Sequence, residues 1–332
     1  VWRRGRVGFA DVARGVAAGT PCRLTPVGKS KRNSPKPGGN RAQRLAERKA
    51  AQEQAAQTVT RPFEGLAAEC DLVALREFVP SATAELKLAS SVAAERPVVL
   101  ATVLPGAVAA LARAGEPPTG FVGAQTQFQS ADAGADLAAA ILWTQSAEPG
   151  DSLSSVESVA GGPRLADVID PGAALDLTVH QDFDWWVPEG VQPDAQVAAT
   201  IEQAKQAIMP SARIALAPDT AGAAWWVDAG EKAHIRWVRP EHEDDLMLAL
   251  ARLHAAGGLH LGEGSRFAGS FRTHGVLVPV FDLDRERHAD EWTKPAEEFG
   301  ARLAEALATD APLTADERRS RDGLRSRQVT LR

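Results

Sequence analysis

His180, Asp182 and Asp184 carry the most specific chemical pattern in this chain, one imidazole and two carboxylates spaced two residues apart. On an extended strand, alternate residues share a face. The three would then converge on one side, with Val179, Phe183 and Trp185 on the other. These are ligand types for a divalent metal. The same alternation describes the solvated face of an edge strand, and that reading is preferred, so no metal is expected.

Two other groups of residues invite a chemical reading. Gly262-Glu263-Gly264-Ser265-Arg266 is a glycine-rich turn ending in arginine, with Arg272 and His274 close behind. Backbone N–H groups in such a turn can cradle an anion. Here the turn follows a helix and precedes a strand, the reverse of a phosphate-binding strand–loop–helix, so a simple connector is the favoured reading. Tryptophan occurs as the pairs Trp185-Trp186 and Trp225-Trp226. Alternation sends one of each pair inward and the other to the opposite sheet face. Trp186 and Trp226 are therefore candidate surface aromatics, able to dock a partner or stack bases, unless helices cover them. The acidic run Glu241-His242-Glu243-Asp244-Asp245 opens a helix, where carboxylates favour the dipole.

Familiar catalytic patterns are missing from the sequence: a Ser-His-Asp arrangement, a Walker loop, HExxH and GxGxxG. Two cysteines, Cys22 and Cys70, cannot build a disulfide framework or a four-thiolate zinc site. The chain reads as reduced and cytoplasmic. Its apolar runs fall short of the roughly 18–20 residues of a membrane span, so none is expected. Neither is a cofactor.

Charge gives the strongest hint. Residues 1–61 hold 14 Lys and Arg against 3 Asp and Glu, a net of +11, whereas residues 62–332 hold 23 against 40, a net of −17. Eight of the basic residues fall within 29–49: Lys29, Lys31, Arg32, Lys36, Arg41, Arg44, Arg48 and Lys49. A basic arm on an acidic body is an electrostatic handle for a polyanion. Position 27 is valine, like position 1, and a basic run follows it. Translation is expected to start at Val27, the alternative being an unstructured native extension over 1–26. Residues up to Asn40 are too polar to fold. Residues 41–57 are good helix formers with almost nothing to bury, so a solvated or partner-induced helix is expected there.

The folded body should begin near Phe63. The spacing of apolar residues predicts helices at about 69–78 and 133–147, with strands at about 84–89, 97–104 and 121–128. Residues 148–163 read as a loop and 175–187 as extended. The second part repeats the order: a helix at 193–209, strands at 212–217, 223–228 and 233–239, a helix at 242–256, a hairpin at 266–272 and 276–283, and a helix at 290–308. This makes an α+β protein of two similar α-β-β-β-α-β-β halves, at 62–190 and 191–312. The order is similar to that of secretion-chaperone-type α+β folds. A basic tail closes the chain at 313–332. Its Gln328-Val329-Thr330-Leu331 can add to a sheet edge, and docking on the body is favoured over a second grip on a polyanion.

Several runs have a family look: Arg61-Pro62-Phe63-Glu64-Gly65-Leu66, Ala74-Leu75-Arg76-Glu77-Phe78-Val79-Pro80, Ala101-Thr102-Val103-Leu104-Pro105, Gly162-Pro163-Arg164-Leu165, Gly269-Ser270-Phe271-Arg272 and Ala311-Pro312-Leu313-Thr314-Ala315-Asp316-Glu317-Arg318-Arg319. Over about 61–332 the chain resembles an actinobacterial family, domain of unknown function 5926. Members of that family often carry names such as preprotein translocase SecA-related protein or topoisomerase. Some relatives place a SEC-C-type zinc motif before the Arg-Pro-Phe-Glu-Gly start. Here a lone Cys22 and the basic arm stand in its place, so the resemblance implies no translocase role and no catalytic residues.

The expected function is that of a cytoplasmic, non-enzymatic interaction protein. Its basic arm would meet RNA or the ribosome, and its acidic body a protein. The alternative is a small enzyme or ligand-binding domain with a pocket between the two halves.

Overall fold

The computed structural model describes residues 59–128, 130–156, 162–188 and 190–330. All of them lie in one compact unit, Gln52–Arg332. The first half runs α1 (Glu69–Glu77), β1 (Ala82–Leu86), β2 (Val98–Val103), β3 (Ala110–Arg113), β4 (Thr119–Gln125), α2 (Ala133–Ser146), β5 (Ser152–Leu153), α3 (Leu165–Val168) and β6 (Thr178–Val179). The second runs α4 (Ala195–Lys205), β7 (Ser211–Arg213), β8 (Ala223–Asp228), β9 (Ala233–Val238), α5 (Glu243–Ala255), β10 (Ser265–Thr273), β11 (Val276–Leu283), α6 (Thr293–Leu307), α7 (Ala315–Arg325) and β12 (Gln328–Thr330).

Each half builds a mixed sheet of six strands, in the orders β5-β3-β4-β2-β1-β6 and β12-β10-β11-β9-β8-β7. The protein is thus α+β with two similar sheet halves. The sheets differ in one crossing. β2 pairs with β4 in parallel, because the short 104–109 connection leads to β3 on the far side of β4. In the second sheet α5 fills that connection, and β9 pairs with β11 antiparallel.

Local chemistry accounts for most elements. Asp132 caps α2 by accepting from the N–H groups of Gly134 and Ala135, and Asp194 caps α4 in the same way. The β10–β11 hairpin turns on His274 and Gly275, both at positive φ, as a two-residue turn of the hairpin type requires.

Helix α1 is central. Glu69 through Leu75 are all buried. On one side Leu72, Leu75 and α2 pack against Val98, Leu100 and Val122 of the first sheet; the same core includes Trp225, Val238, Val276 and Val278 of the second sheet. The opposite face of the second sheet carries Trp226, Trp237, Leu277 and Phe281, and is covered by α5 and α6. β8 therefore places Trp225 and Trp226 on opposite faces, as alternation requires, and both faces are covered.

Three stretches depart from the sequence reading. Residues 175–187 hold only the two-residue β6, and Asp184–Trp186 form a 3-10 turn. β3 went unpredicted because Ala110-Leu111-Ala112-Arg113 lacks β-branched residues, yet it is paired on both sides. The tail adds helix α7 before its short strand, and β12 joins β10 in parallel. No helix among the described residues is long and apolar enough to cross a membrane.

Tight packing fixes α2 on the first sheet. A Cβ added at Gly120 would sit 2.7 Å from Thr144 Cβ and Oγ1. Gly120→Ala should therefore destabilise the protein by about 1–3 kcal/mol in chemical denaturation. Adding Thr144→Ala should recover only part of that loss, because the contact with the Cβ of residue 144 remains.

Candidate partner-binding face

The two sheets are not equally covered. Both faces of the second are packed, whereas the outer face of the first carries only a small cluster. Ala101, Leu104 and Phe121 are its buried members; Val99, Val108, Leu111 and Trp185 are partly exposed. The cover is the segment 180–187, which crosses this face without extending the sheet.

Hydrogen bonds pin that segment. Trp185 Nε1 donates to Ser81 Oγ at 2.9 Å, and Ser81 Oγ donates to the Asp182 carbonyl at 2.7 Å. Trp186 Nε1 donates to the Val103 carbonyl at 3.0 Å. Arg113 Nη2 donates to the carbonyls of Trp185 and Trp186 at 3.1 and 3.0 Å. The guanidinium of Arg113 lies 4.0 Å from the Phe121 ring centroid, and burial pulls its pKa down. Buried Phe183 packs at 4.6 Å from Trp186. Both indole N–H groups are satisfied, so the rings are held in place while part of each remains exposed. Fixed, amphipathic aromatics with little entropy to lose are what interface anchors need.

The metal-ligand candidates lie in this same segment. His180 Nε2 is 2.8 Å from Thr83 Oγ1, its ring stacks on Trp185, and burial lowers its pKa. Asp182 Oδ1 accepts from Asp184 N, and Asp184 pairs with Lys205 at 2.8 Å. The expected common strand face does not exist, because Asp184 lies in a 3-10 turn. Among the described residues no three His, Cys, Asp or Glu are grouped to hold a metal.

The remaining candidates are dispersed. Trp226 is 7% exposed, in the second core beside His288. Arg266 pairs with Asp282 at 2.8 Å, Arg272 pairs with Glu243, and His274 Nε2 meets Glu77 Oε1 at 2.8 Å. A register shift between Phe267 and Gly269 places Arg266 opposite Asp282 and Arg272 opposite Leu277. Asp282 and Leu277 are an odd number apart on β11, so the two arginines face opposite sides. The arm residues Lys29, Lys31, Arg32, Lys36, Arg41, Arg44, Arg48 and Lys49 lie outside the described residues.

Between the halves, around the start of α1, sits a polar cluster. Arg61 Nε pairs with Glu69 at 2.6 Å, and its Nη2 donates to the Pro240 carbonyl. Arg213 pairs with Asp71 at 2.8 Å, and Arg239 with Glu241. Arg61, grouped with the arm by composition, is thus anchored to the body. Cys70 is buried among these carboxylates, and burial pushes its thiol up to about 12. It should react with a maleimide only after unfolding, since the thiolate is the nucleophile. Rapid labelling of the native protein at neutral pH would contradict that.

Sequence reasoning overlooked Arg113 and Phe121, and it turned Trp185 toward the core. No sequence signal marks the first two, because their partners in the covering segment lie 64 to 73 residues away in the chain.

A family model described as a family of unknown function (DUF5926) matches residues 62–332. Comparison with curated proteins and with solved structures gives no match.

Proposed function

We propose, for a chain that belongs to the DUF5926 family, a family of unknown function, the role of a cytoplasmic interaction protein without catalytic activity. The basic segment before Arg61 meets RNA or the ribosome, and the acidic body meets a protein through the outer face of the first sheet. The observation that carries this reading is the separation of charge, +11 on residues 1–61 against −17 on the rest. The ion pairs of the body support it. Arg61, Arg213, Arg239, Arg266, Arg272 and Arg325 each pair with a carboxylate of the body, which leaves the segment before Arg61 as the main basic handle. The partly exposed Trp185 and Trp186 on a thinly covered sheet face support the protein contact.

A pull-down of the full chain, with and without nuclease, tests both parts. Partners held through the basic segment should be lost on nuclease treatment and on deletion of residues 1–58. Partners held by the sheet face should survive nuclease and be lost in Trp185→Ser with Trp186→Ser. Capture that is indifferent to nuclease, to the deletion and to the tryptophans would overturn the reading.

A further inference from the structure

One end of the inner face of the second sheet is basic, and the strand register shows which residues share it. His234 lies opposite Val227 and Asp282, Arg236 opposite Trp225 and Val280, and Arg266 opposite Asp282. Directly opposite side chains share a face. His234, Arg236, Arg266 and Asp282 therefore point to the side of Trp225, the side packed against α1. Lys232, just before β9, reaches the same carboxylate.

Asp282 is met by two cations and an imidazole. Lys232 Nζ lies at 3.0 Å, Arg266 Nη2 at 2.8 Å and His234 Nδ1 at 3.1 Å. The last contact is off the axis of a hydrogen bond, and the buried Nδ1 has no hydrogen-bond partner among the described residues. Arg236 has no such carboxylate. It is partly buried and has no hydrogen bond or ion pair to a described residue. Its guanidinium sits 5.2 Å from the Phe78 ring centroid. Burial lowers its pKa, with no carboxylate close enough to offset the effect.

A guanidinium carries five donors. Contact with one aromatic face satisfies none of them, which leaves the guanidinium without a polar partner among the described residues and available to an anion. Lys232, Arg236 and Arg266 against Asp282 leave a net of +2 on a body whose net is −17. A positive island in an acidic body calls for an anion.

We infer that Arg236, together with Lys232, His234 and Arg266, binds a phosphate dianion at this end of the second sheet. A phosphate monoester carries about −1.5 to −2 at neutral pH, which matches the net charge of the island better than a carboxylate or a diester does. The guanidinium fork suits two phosphate oxygens at once. The dianion belongs either to a small phosphorylated metabolite or to a phosphorylated side chain.

Calorimetric titration of the full chain at constant ionic strength tests the site, with inorganic phosphate as the probe and acetate as the control. Phosphate should bind saturably and acetate should not. Arg236→Gln should weaken phosphate binding at least tenfold while leaving the phosphate-free melting temperature unchanged or higher, because it removes an unpaired charge. Arg266→Gln alters an exposed side chain, so folding is not at risk, and it should weaken binding about threefold. Tighter binding of a phosphoserine peptide than of a hexose phosphate assigns the dianion to a side chain, and the reverse order assigns it to a metabolite. Phosphate binding no better than acetate, or unchanged in Arg236→Gln, would overturn the inference. So would a phosphate-free Arg236→Gln protein that melts well below wild type, since Arg236 would then be structural.

Discussion

Deletion of residues 1–58 is expected to abolish salt-sensitive binding of single-stranded RNA and to leave the melting temperature unchanged. Eight basic residues in 29–49 face a single acid, Glu47. Each single-strand phosphate neutralised contributes about −0.7 to the slope of log K against log salt, so about eight contacts imply a loss of roughly a thousandfold between 50 and 200 mM salt. The truncated chain should lose both the affinity and most of that slope. The cut position matters. Val59 N donates to the Ala131 carbonyl at 3.0 Å, and Arg61 is paired with Glu69 and bonded to Pro240. A cut after Arg61 should therefore lower the melting temperature, whereas a cut after residue 58 should not. Equal RNA binding by full-length and truncated proteins would leave the basic segment a solubilising tail.

How much the chain discloses in advance depends on whether its pattern is local. Helices α1, α2 and α5 show apolar periodicity and clear stops, and they form within a residue or two of the expected bounds. The hairpin was legible because a His-Gly pair at the turn supplies both positive φ angles. Helix α7 was not, because only Leu324 in it is buried and one residue has no period. Its available signal was the capping box Thr314-x-x-Glu317, in which each side chain bonds the other's backbone. The dispersal of Arg266 and Arg272 turns on the irregularity before Gly269. A lone glycine in a strand hints at a bulge, but only the pairing with β11 reveals where the faces switch. Residues 175–187 alternate as a strand does, yet their hydrogen-bonding capacity goes largely to side chains and carbonyls of the first sheet, so the run folds across a face instead of joining an edge. For Arg236, alternation within β9 puts it on a polar-looking face; its burial comes from the first half of the chain, over 150 residues earlier.

Deletion of residues 314–332 should lower the melting temperature and leave RNA affinity intact. Helix α7 lies along α5, and Leu324, 2% exposed, is part of the second core. Beyond it Arg325 reaches Asp244 at 3.1 Å, Gln328 Nε2 donates to Glu243 Oε1 at 2.7 Å, and β12 pairs with β10. Loss of the buried leucine alone should cost about 3 kcal/mol, or roughly 6–12 °C in a body of this size. Leu324→Ala should reproduce much of that shift. The arginines of the tail make poor candidates for a second polyanion grip. Arg319 pairs with Asp316, Arg321 with Asp322 and Arg325 with Asp244, and Arg318 donates to the Leu313 carbonyl. Acid should loosen the same clasp. The Arg272 guanidinium, with help from Gln328, holds Glu243 below its ordinary 4.5. A depressed folded-state value means the stabilisation is present above the unfolded value and fades as pH falls through the folded one. Arg272 stays in the truncated chain, so the difference in melting temperature carries only the smaller contributions of Gln328 and Arg325, and it should shrink modestly as pH falls below the ordinary 4.5. An unchanged melting temperature with weakened RNA binding would instead make the tail a second arm of the RNA grip.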